Sequence, residues 1–452
     1  MQSDRQPWEV LEELAESGDT RALEQYIASI GPSEAFRAIL RVDPARQEQV
    51  LTTLSPAGAA DLIEEIPDEH AADLIEQLSA KEAVSILNEM ESAEQADVLG
   101  DMEEDDAEAI LSEMSPEDAA EVRLLISYPT DVAGGLMSTE YLSYEEGAIV
   151  RDVIDALSTR AEEHSDDEVH VYVVSSRGKL VGVLDLRDLV LSRRATPLAQ
   201  ILKSPLFVSM NTSLDELSEF FDRHSFFAVP VVDERHRLVG IVHRRAVNEA
   251  LSERAELDYL KSKGIVGGDE IRTLPVLTRA RRRLSWLSLN IVLNIVAASV
   301  IAFYEDTLSA VIALAIFLPI VSDMSGCSGN QAVAVSMREL SLGIVKPFEA
   351  MRVWMQELSV GILNGLTLGC LIAVAAWLWK GNAYLGLVVG GALAANTLIA
   401  VSIGGVVPLL LKRMNVDPAI ASGPILTTIT DMCGFFLVLS FASAMLPLLA
   451  SA

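Results

Sequence analysis

Five apolar stretches crowd the C-terminal part of this chain, at about 284–304, 308–337, 357–379, 384–411 and 424–449. Each supplies ~20 apolar residues, enough to cross ~30 Å of hydrocarbon. Lipid cannot hydrogen-bond a backbone, so such stretches must fold as helices that satisfy themselves. The second is interrupted by Pro319 and a Ser/Gly/Asn stretch, and irregular backbone at that depth needs protein or water around it. Lys and Arg placement sets orientation. Arg279, Arg281, Arg282 and Arg283 precede the first stretch, Arg338, Lys346 and Arg352 lie between the second and third, and Lys412 and Arg413 lie between the fourth and fifth. All fall on one side, against Lys380 alone on the other. The preceding residues are therefore expected in the cytoplasm, with the C-terminus outside and the protein in the inner (plasma) membrane. Met1–Val10 shows no apolar signal-peptide core.

Charge divides the chain as sharply as hydropathy. Residues 1–135 carry 33 acidic against 7 basic side chains, and residues 274–452 carry 8 against 10. The acidic part repels nucleic acid and anionic lipid and attracts cations. Its bland reading is a well-solvated surface.

A twelve-residue period repeats seven times from Asp43 to Ile126. The closing position is always apolar (Leu54, Ile66, Leu78, Met90, Met102, Met114, Ile126), and so is the eighth (Val50, Leu62, Leu74, Ile86, Val98, Ile110, Val122). Ser, Pro or an acid opens each unit, as at a helix start. Each unit is predicted to be one short helix and a turn, and neighbours must stack to bury their apolar faces.

Residues 136–255 hold a weaker duplication. Val171–Val190 resembles Val229–Asn248, each reading as strand, turn, strand, helix. Further helices are expected over Ile149–Arg160 and Leu214–His224. This resembles a tandem pair of CBS modules, small α/β discs that bind adenine nucleotides or act as regulatory joints. The expected fold is a multi-domain membrane protein: an acidic α-helical superhelix (1–134), tandem CBS α/β modules (135–199 and 200–250), a connecting helix (251–278) and five transmembrane α-helices (279–452).

Catalytic chemistry is absent from the pattern. There is no nucleophile elbow, phosphate-cradling glycine loop or metal-spaced His/Cys cluster, so an enzyme is not expected. Cys327, Cys370 and Cys433 form no framework. Asp431 is different: it is the one ionisable group in the apolar run Pro424–Leu449. A carboxylate in such a helix is costly and marks an ion or proton pathway. Pro424 suits a first helical turn, which puts Asp431 ~10 Å into the helix. Thr427 and Thr428 share its face. Hard oxygen ligands suit Mg²⁺, and a dimer would set two such carboxylates around one axis. A structural Asp bonded to a neighbouring helix and a proton relay are the alternative readings.

Val416–Phe436 and Gly390–Met414 resemble the last and fourth membrane helices of the MgtE-type magnesium transporter family. The resemblance covers essentially the whole chain. It implies a homodimer, embedded in membrane lipid, that conducts Mg²⁺ along its two-fold axis and closes when cytoplasmic domains bind Mg²⁺. It assigns Asp431 to the pore and Asp417 to an acidic position at the cytoplasmic end of the same helix, where a plain helix-terminal charge is the other reading.

The chain departs from the family twice. In the second stretch Cys327 replaces an Asn, Ser325 replaces a Gly and Asp323 is an added carboxylate, while Asn330 remains to line the pore. In the regulatory region Asp215, Glu249 and Asp258 match acidic positions, with Glu253 and Glu256 nearby. Ser225, Ala246, Arg254 and Leu257 stand where the family carries acids, and Arg244 and Arg245 add positive charge. Repeat-domain acids such as Asp97 and Asp101 are the candidates to face them. Fewer carboxylates imply weaker closing by intracellular Mg²⁺. In the first CBS module Asp188, beside Arg187, matches the acid that holds a ribose, which implies ATP at one site; a surface Asp/Arg pair is the alternative. The expected function is Mg²⁺ conduction with Mg²⁺ also as regulator. Another divalent ion (Co²⁺, Mn²⁺ or Zn²⁺) or a non-transporting CBS-type sensor are the competing functions.

Overall fold

The computed structural model describes residues 5–160, 171–265 and 276–450. It divides into two compact units, Met1–Arg254 and Ala255–Ala452.

The first unit opens with α1 (Pro7–Ser17), α2 (Thr20–Ile30) and α3 (Pro32–Ile39), which carry no twelve-residue phase. The repeat then becomes α4 (Pro44–Thr53), α5 (Pro56–Ile63), α6 (Asp68–Ile75), α7 (Ala80–Leu87), α8 (Ser92–Gly100), α9 (Glu104–Glu113) and α10 (Pro116–Ile126), one helix per period. Helices this short are marginal alone, so packing must hold them. All seven eighth-position side chains are buried. Each such Val, Leu or Ile contributes ~1.5–3 kcal/mol relative to exposure. The closing side chains are buried too, except Ile126, 36% exposed where no further repeat follows to cover it. The serines opening three units cap their helices: Ser55, Ser79 and Ser115 accept from the backbone N–H of Gly58, Glu82 and Asp118.

Two three-stranded sheets follow. β1 (Leu142–Glu145), α11 (Val150–Arg160), β2 (Val171–Val174), β3 (Leu180–Leu184) and α12 (Leu186–Leu191) form the first module. β4 (Val208–Ser209), α13 (Leu214–Arg223), β5 (Ala228–Val232), β6 (Leu238–His243) and α14 (Arg244–Ser262) form the second. In each, the first strand runs parallel to the second and the second antiparallel to the third. The hairpin turns clasp one another: Leu180 N–H donates to His236 at 3.1 Å and Leu238 N–H to Gly178 at 3.1 Å. α14 runs unbroken through residue 250, where the sequence suggested a boundary, and ends at Ser262, two residues before Gly264 with its φ of 81°. Of the expected connecting helix 251–278, residues 251–262 form the tail of α14 and 276–278 open the helix that follows. Residues 266–275 lie outside the described residues.

The second unit comprises α15 (Val276–Phe303), α16 (Glu305–Ala310), α17 (Leu314–Ser341), α18 (Ala350–Lys380), α19 (Ala383–Arg413), α20 (Pro418–Ala444) and α21 (Leu446–Ala450). Among the described residues four helices are long and apolar enough to cross a membrane: α15, α18 with its preceding turn, α19 and α20. α17 has the length but carries Asp323, Arg338, Glu339 and several serines.

The expected break in this segment is not found, because α17 continues through Pro319 and the Ser/Gly stretch. The glycines serve close packing instead of unwinding. A Cβ on Gly404 of α19 would meet the Gly329 carbonyl oxygen of α17 at 2.3 Å. α18 and α19 approach the same way: a Cβ on Gly365 would meet the Ala394 carbonyl oxygen at 2.6 Å, and one on Gly369 the Gly390 carbonyl oxygen at 2.6 Å. Such small-residue stripes let membrane helices gain close van der Waals contact.

Candidate ion pathway and regulatory sites

α20 begins at Pro418, with Asp417 as its N-cap, so Pro424 lies inside the helix and not in its first turn. That corrects the depth of Asp431. It lies thirteen positions beyond Pro418, or ~20 Å at 1.5 Å per residue. The carboxylate stands near the middle of the helix rather than a third of the way along.

Ser322 of α17 donates its hydroxyl hydrogen bond to Asp431. Sequence reasoning missed this partner because only tertiary packing brings the two helices together. A second unforeseen group, Asn396 of α19, is fully buried. Its Nδ2 donates to Ser325 Oγ at 2.5 Å and to the Thr430 carbonyl at 3.0 Å. It thereby ties α17, α19 and α20 together one residue from Asp431. Thr427 is exposed on α20, its hydroxyl donating to Gly423 O at 2.9 Å, and Thr428 is half-buried. Asp323 and Asn330 lie exposed along α17 with Cys327 between them. Their spacing of four and then three residues places them on one face.

Asp417 does two things. Its Oδ1 accepts from Ala419 N–H at 2.8 Å, the capping role, and its Oδ2 lies 3.5 Å from Lys261 Nζ. Lys261 also lies 4.0 Å from Asp258.

In the first unit the acids converge. Asp97 of α8 is held at a pKa of about 8, first by burial and then by Asp68, Glu253, Asp101 and Glu94. Asp68 is raised to about 7 by burial, Glu253, Asp101 and Glu94. Glu94 is raised to about 8 by burial and Glu64. Asp97 and Glu253, both expected in the regulatory set, are thus brought together, and Asp68 is an addition that the repeat pattern concealed. Glu249 adds its charge near Glu94. Asp215 is instead paired with Arg254 at 2.5 Å. Glu256 is exposed.

Among the described residues no three His, Cys, Asp or Glu side chains are grouped closely enough to hold a metal ion by themselves. Carboxylates are the hard oxygen ligands that Mg²⁺ takes one or two at a time, with water completing its shell. Linkage sets a sign here. Carboxyls with raised folded pKa stabilise the fold below the ordinary value near ~4, and that contribution is lost as pH rises through the folded value. In chelator, the full-length protein's first unit is expected to melt at lower temperature as pH rises from about 6 to about 9, with Mg²⁺ opposing the shift. Melting indifferent to both pH and Mg²⁺ would contradict the convergence of these acids.

In the first CBS module Asp188 lies 3.0 Å from Lys203 Nζ, and Asp185 also pairs with Lys203. Arg187 is exposed on α12. Lys203 thus offsets the negative charge of both carboxylates.

A stacked acidic helical array, two α/β modules and a set of helices long and apolar enough to cross a membrane define a multi-domain protein with a membrane-spanning part. Family profiles match along the chain: the MgtE intracellular N domain over residues 30–131, CBS domains over 132–194 and 198–253, and MgtE, described as a divalent cation transporter, over 318–441. Magnesium transporter MgtE of Bacillus subtilis is 34% identical over 72% of this chain and 71% of its own length. That of Thermus thermophilus is 36% identical over 72% of this chain and 73% of its own length. The chain belongs to the MgtE family. A solved cytosolic domain of the Mg²⁺ channel MgtE in complex with ATP is 32% identical, covering 54% of this chain and 99% of that one, with a TM-score of 0.49.

Proposed function

We propose that two copies of this protein form a pore that conducts Mg²⁺ into the cytoplasm, with Asp431 as its central carboxylate. The observation that carries the reading is Asp431 itself, set midway along an apolar helix and oriented by Ser322. α17 is the fifth crossing beside α15, α18, α19 and α20, its polar character suiting a helix that lines water. Its exposed Asp323 and Asn330 join Thr427, Thr428 and the entrance residue Asp417 along the path. Two Asp431 carboxylates neutralise one hydrated divalent ion. A potential of 100 mV contributes ~2.3 kcal/mol per charge, doubled for Mg²⁺, so no hydrolytic energy is required. The C-terminus lies outside and the first unit in the cytoplasm.

Asp68, Asp97, Asp101, Glu94 and Glu253 would hold regulatory Mg²⁺, with Glu249 beside Glu94; Asp215, Glu256 and Asp258 are the further regulatory acids expected from the sequence. The ion would supply charge neutralisation that favours the closed arrangement by binding it more tightly than the open one. ATP is the candidate ligand of the first CBS module, where Asp188 would hold the ribose and Lys203 and Arg187 would meet phosphate.

The test is Mg²⁺ uptake by purified protein in liposomes carrying a Mg²⁺ dye, with Co²⁺ and Mn²⁺ as competitors. Uptake that falls as internal Mg²⁺ rises is expected. Preferential Co²⁺ or Mn²⁺ uptake would replace the ion, and no uptake of any divalent ion would leave a non-transporting sensor.

A further inference from the structure

α14 carries four basic side chains, and three of them are seated on an acid. Arg245 lies 3.8 Å from Glu94 of the repeat domain. Arg254 meets Asp215 of α13 at 2.5 Å. Lys261 lies 3.5 Å from Asp417, the N-cap of the helix that carries Asp431, and 4.0 Å from Asp258. In each place an ammonium or guanidinium stands beside a carboxylate that could otherwise take a share of a divalent ion. The Lys261 arrangement is the most telling, because one ammonium serves two carboxylates on two helices. A single Mg²⁺ has the same opportunity there, with hard oxygen ligands from both sides. Lys is the suitable residue for the task, a compact point charge on a flexible stem that follows a moving helix.

We infer that Lys261 is an internal cation that latches the end of α14 to the entrance of the ion pathway without a divalent ion, with Arg254 and Arg245 holding the same helix to its other neighbours. The inference rests on the transport reading and specifies its regulation. A latch made by the chain itself is present at every Mg²⁺ concentration. It therefore gives a closed population in the absence of Mg²⁺, and it lowers the amount of bound Mg²⁺ needed to complete closure. Lys261 and Asp417 are each about a third exposed, at 34% and 38%. A pair in that setting shifts an equilibrium only modestly, by about two- to fivefold. The latch trims an opening equilibrium and does not lock it.

The experiment compares wild type, Lys261→Gln and Lys261→Arg as full-length protein in liposomes, with internal Mg²⁺ varied upward from chelator. In chelator, Lys261→Gln is expected to conduct Mg²⁺ about two- to fivefold faster than wild type, and to need more internal Mg²⁺ for half-closure. Lys261→Arg keeps the charge and is expected to stay near wild type. Limited proteolysis at the end of α14, in chelator, supplies a readout independent of flux: protection in wild type and Lys261→Arg, cleavage in Lys261→Gln. Equal flux in chelator for wild type and Lys261→Gln, or equal protection of the two, overturns the latch. Absence of flux from wild type itself removes the transport reading, while the proteolysis pattern still decides whether Lys261 holds the helix.

Discussion

Replacing Asp431 with Ala is expected to abolish Mg²⁺ flux, by about a hundredfold or more, while the protein still folds and assembles. The magnitude follows from where the charge stands. Hydrocarbon offers an ion nothing, and a divalent ion keeps its charge throughout the crossing. Asp431 is the only full negative charge that α20 brings to that depth, and the proposed dimer would set two of them there. Removing both leaves hydroxyls from Thr427, Thr428 and Ser322, which bind water and orient it but do not neutralise. Folding should survive because an uncharged side chain is easier to bury than a carboxylate. Ser322→Ala removes only the group that orients Asp431, so a partial loss of several-fold is expected, with the ion still admitted. Flux by Asp431→Ala equal to wild type would take Asp431 out of the pathway.

The second large effect is structural. Gly404→Val is expected to prevent the membrane unit from assembling, read as loss of the folded, monodisperse protein in detergent. A Cβ there would meet the Gly329 carbonyl oxygen at 2.3 Å and the Gly329 carbonyl carbon at 3.0 Å. Both are backbone atoms of a helix, so relief needs α17 and α19 to move apart. Overpacking of this kind costs ~1–3 kcal/mol or more. Here it would also unseat Ser336, which donates to Gly405 O at 2.8 Å across the same pair. By contrast, Gly423→Ala on α20 has nothing within 4 Å and is expected to be tolerated. Normal assembly of Gly404→Val would show that the helices approach less closely than described.

Different physical signals explain which parts could be read from sequence. The twelve-residue period was legible because each unit is one capped helix that buries the same two positions, from Val50 to Val122 and from Leu54 to Met114. The CBS duplication was legible for a similar reason: alternation and a turn recur at fixed spacing. α1–α3 escaped the repeat because their lengths and turns do not keep its phase. The start of α20 was misplaced because two prolines, Pro418 and Pro424, each fit a first turn, and only the Asp417 cap decides between them. Gly361, Gly365 and Gly369 recur every four residues in α18. Their meaning depends on the partner stripe in α19, which one helix alone does not reveal.

The sites divide similarly. Asp431 stood out because a lone charge in an apolar run is costly. Ser322, Asn396 and Lys261 did not, since a serine, an asparagine or a surface lysine is unremarked until a neighbour gives it a task. The regulatory acids were the least legible. In a segment with 33 acidic side chains, nothing local separates Asp68 and Asp97 from those that face solvent. Burial and mutual repulsion make the separation, and both are tertiary properties.

The most direct test is to locate a divalent ion in the full-length protein in lipid, using Mn²⁺ as a spectroscopic and density-visible stand-in for Mg²⁺. The account predicts one Mn²⁺ held through its waters between the Asp431 carboxylates of two copies, displaced by Mg²⁺ and missing from Asp431→Ala. Asp431 turned toward lipid, or no ion near it at any Mn²⁺ concentration that supports uptake, would contradict the account.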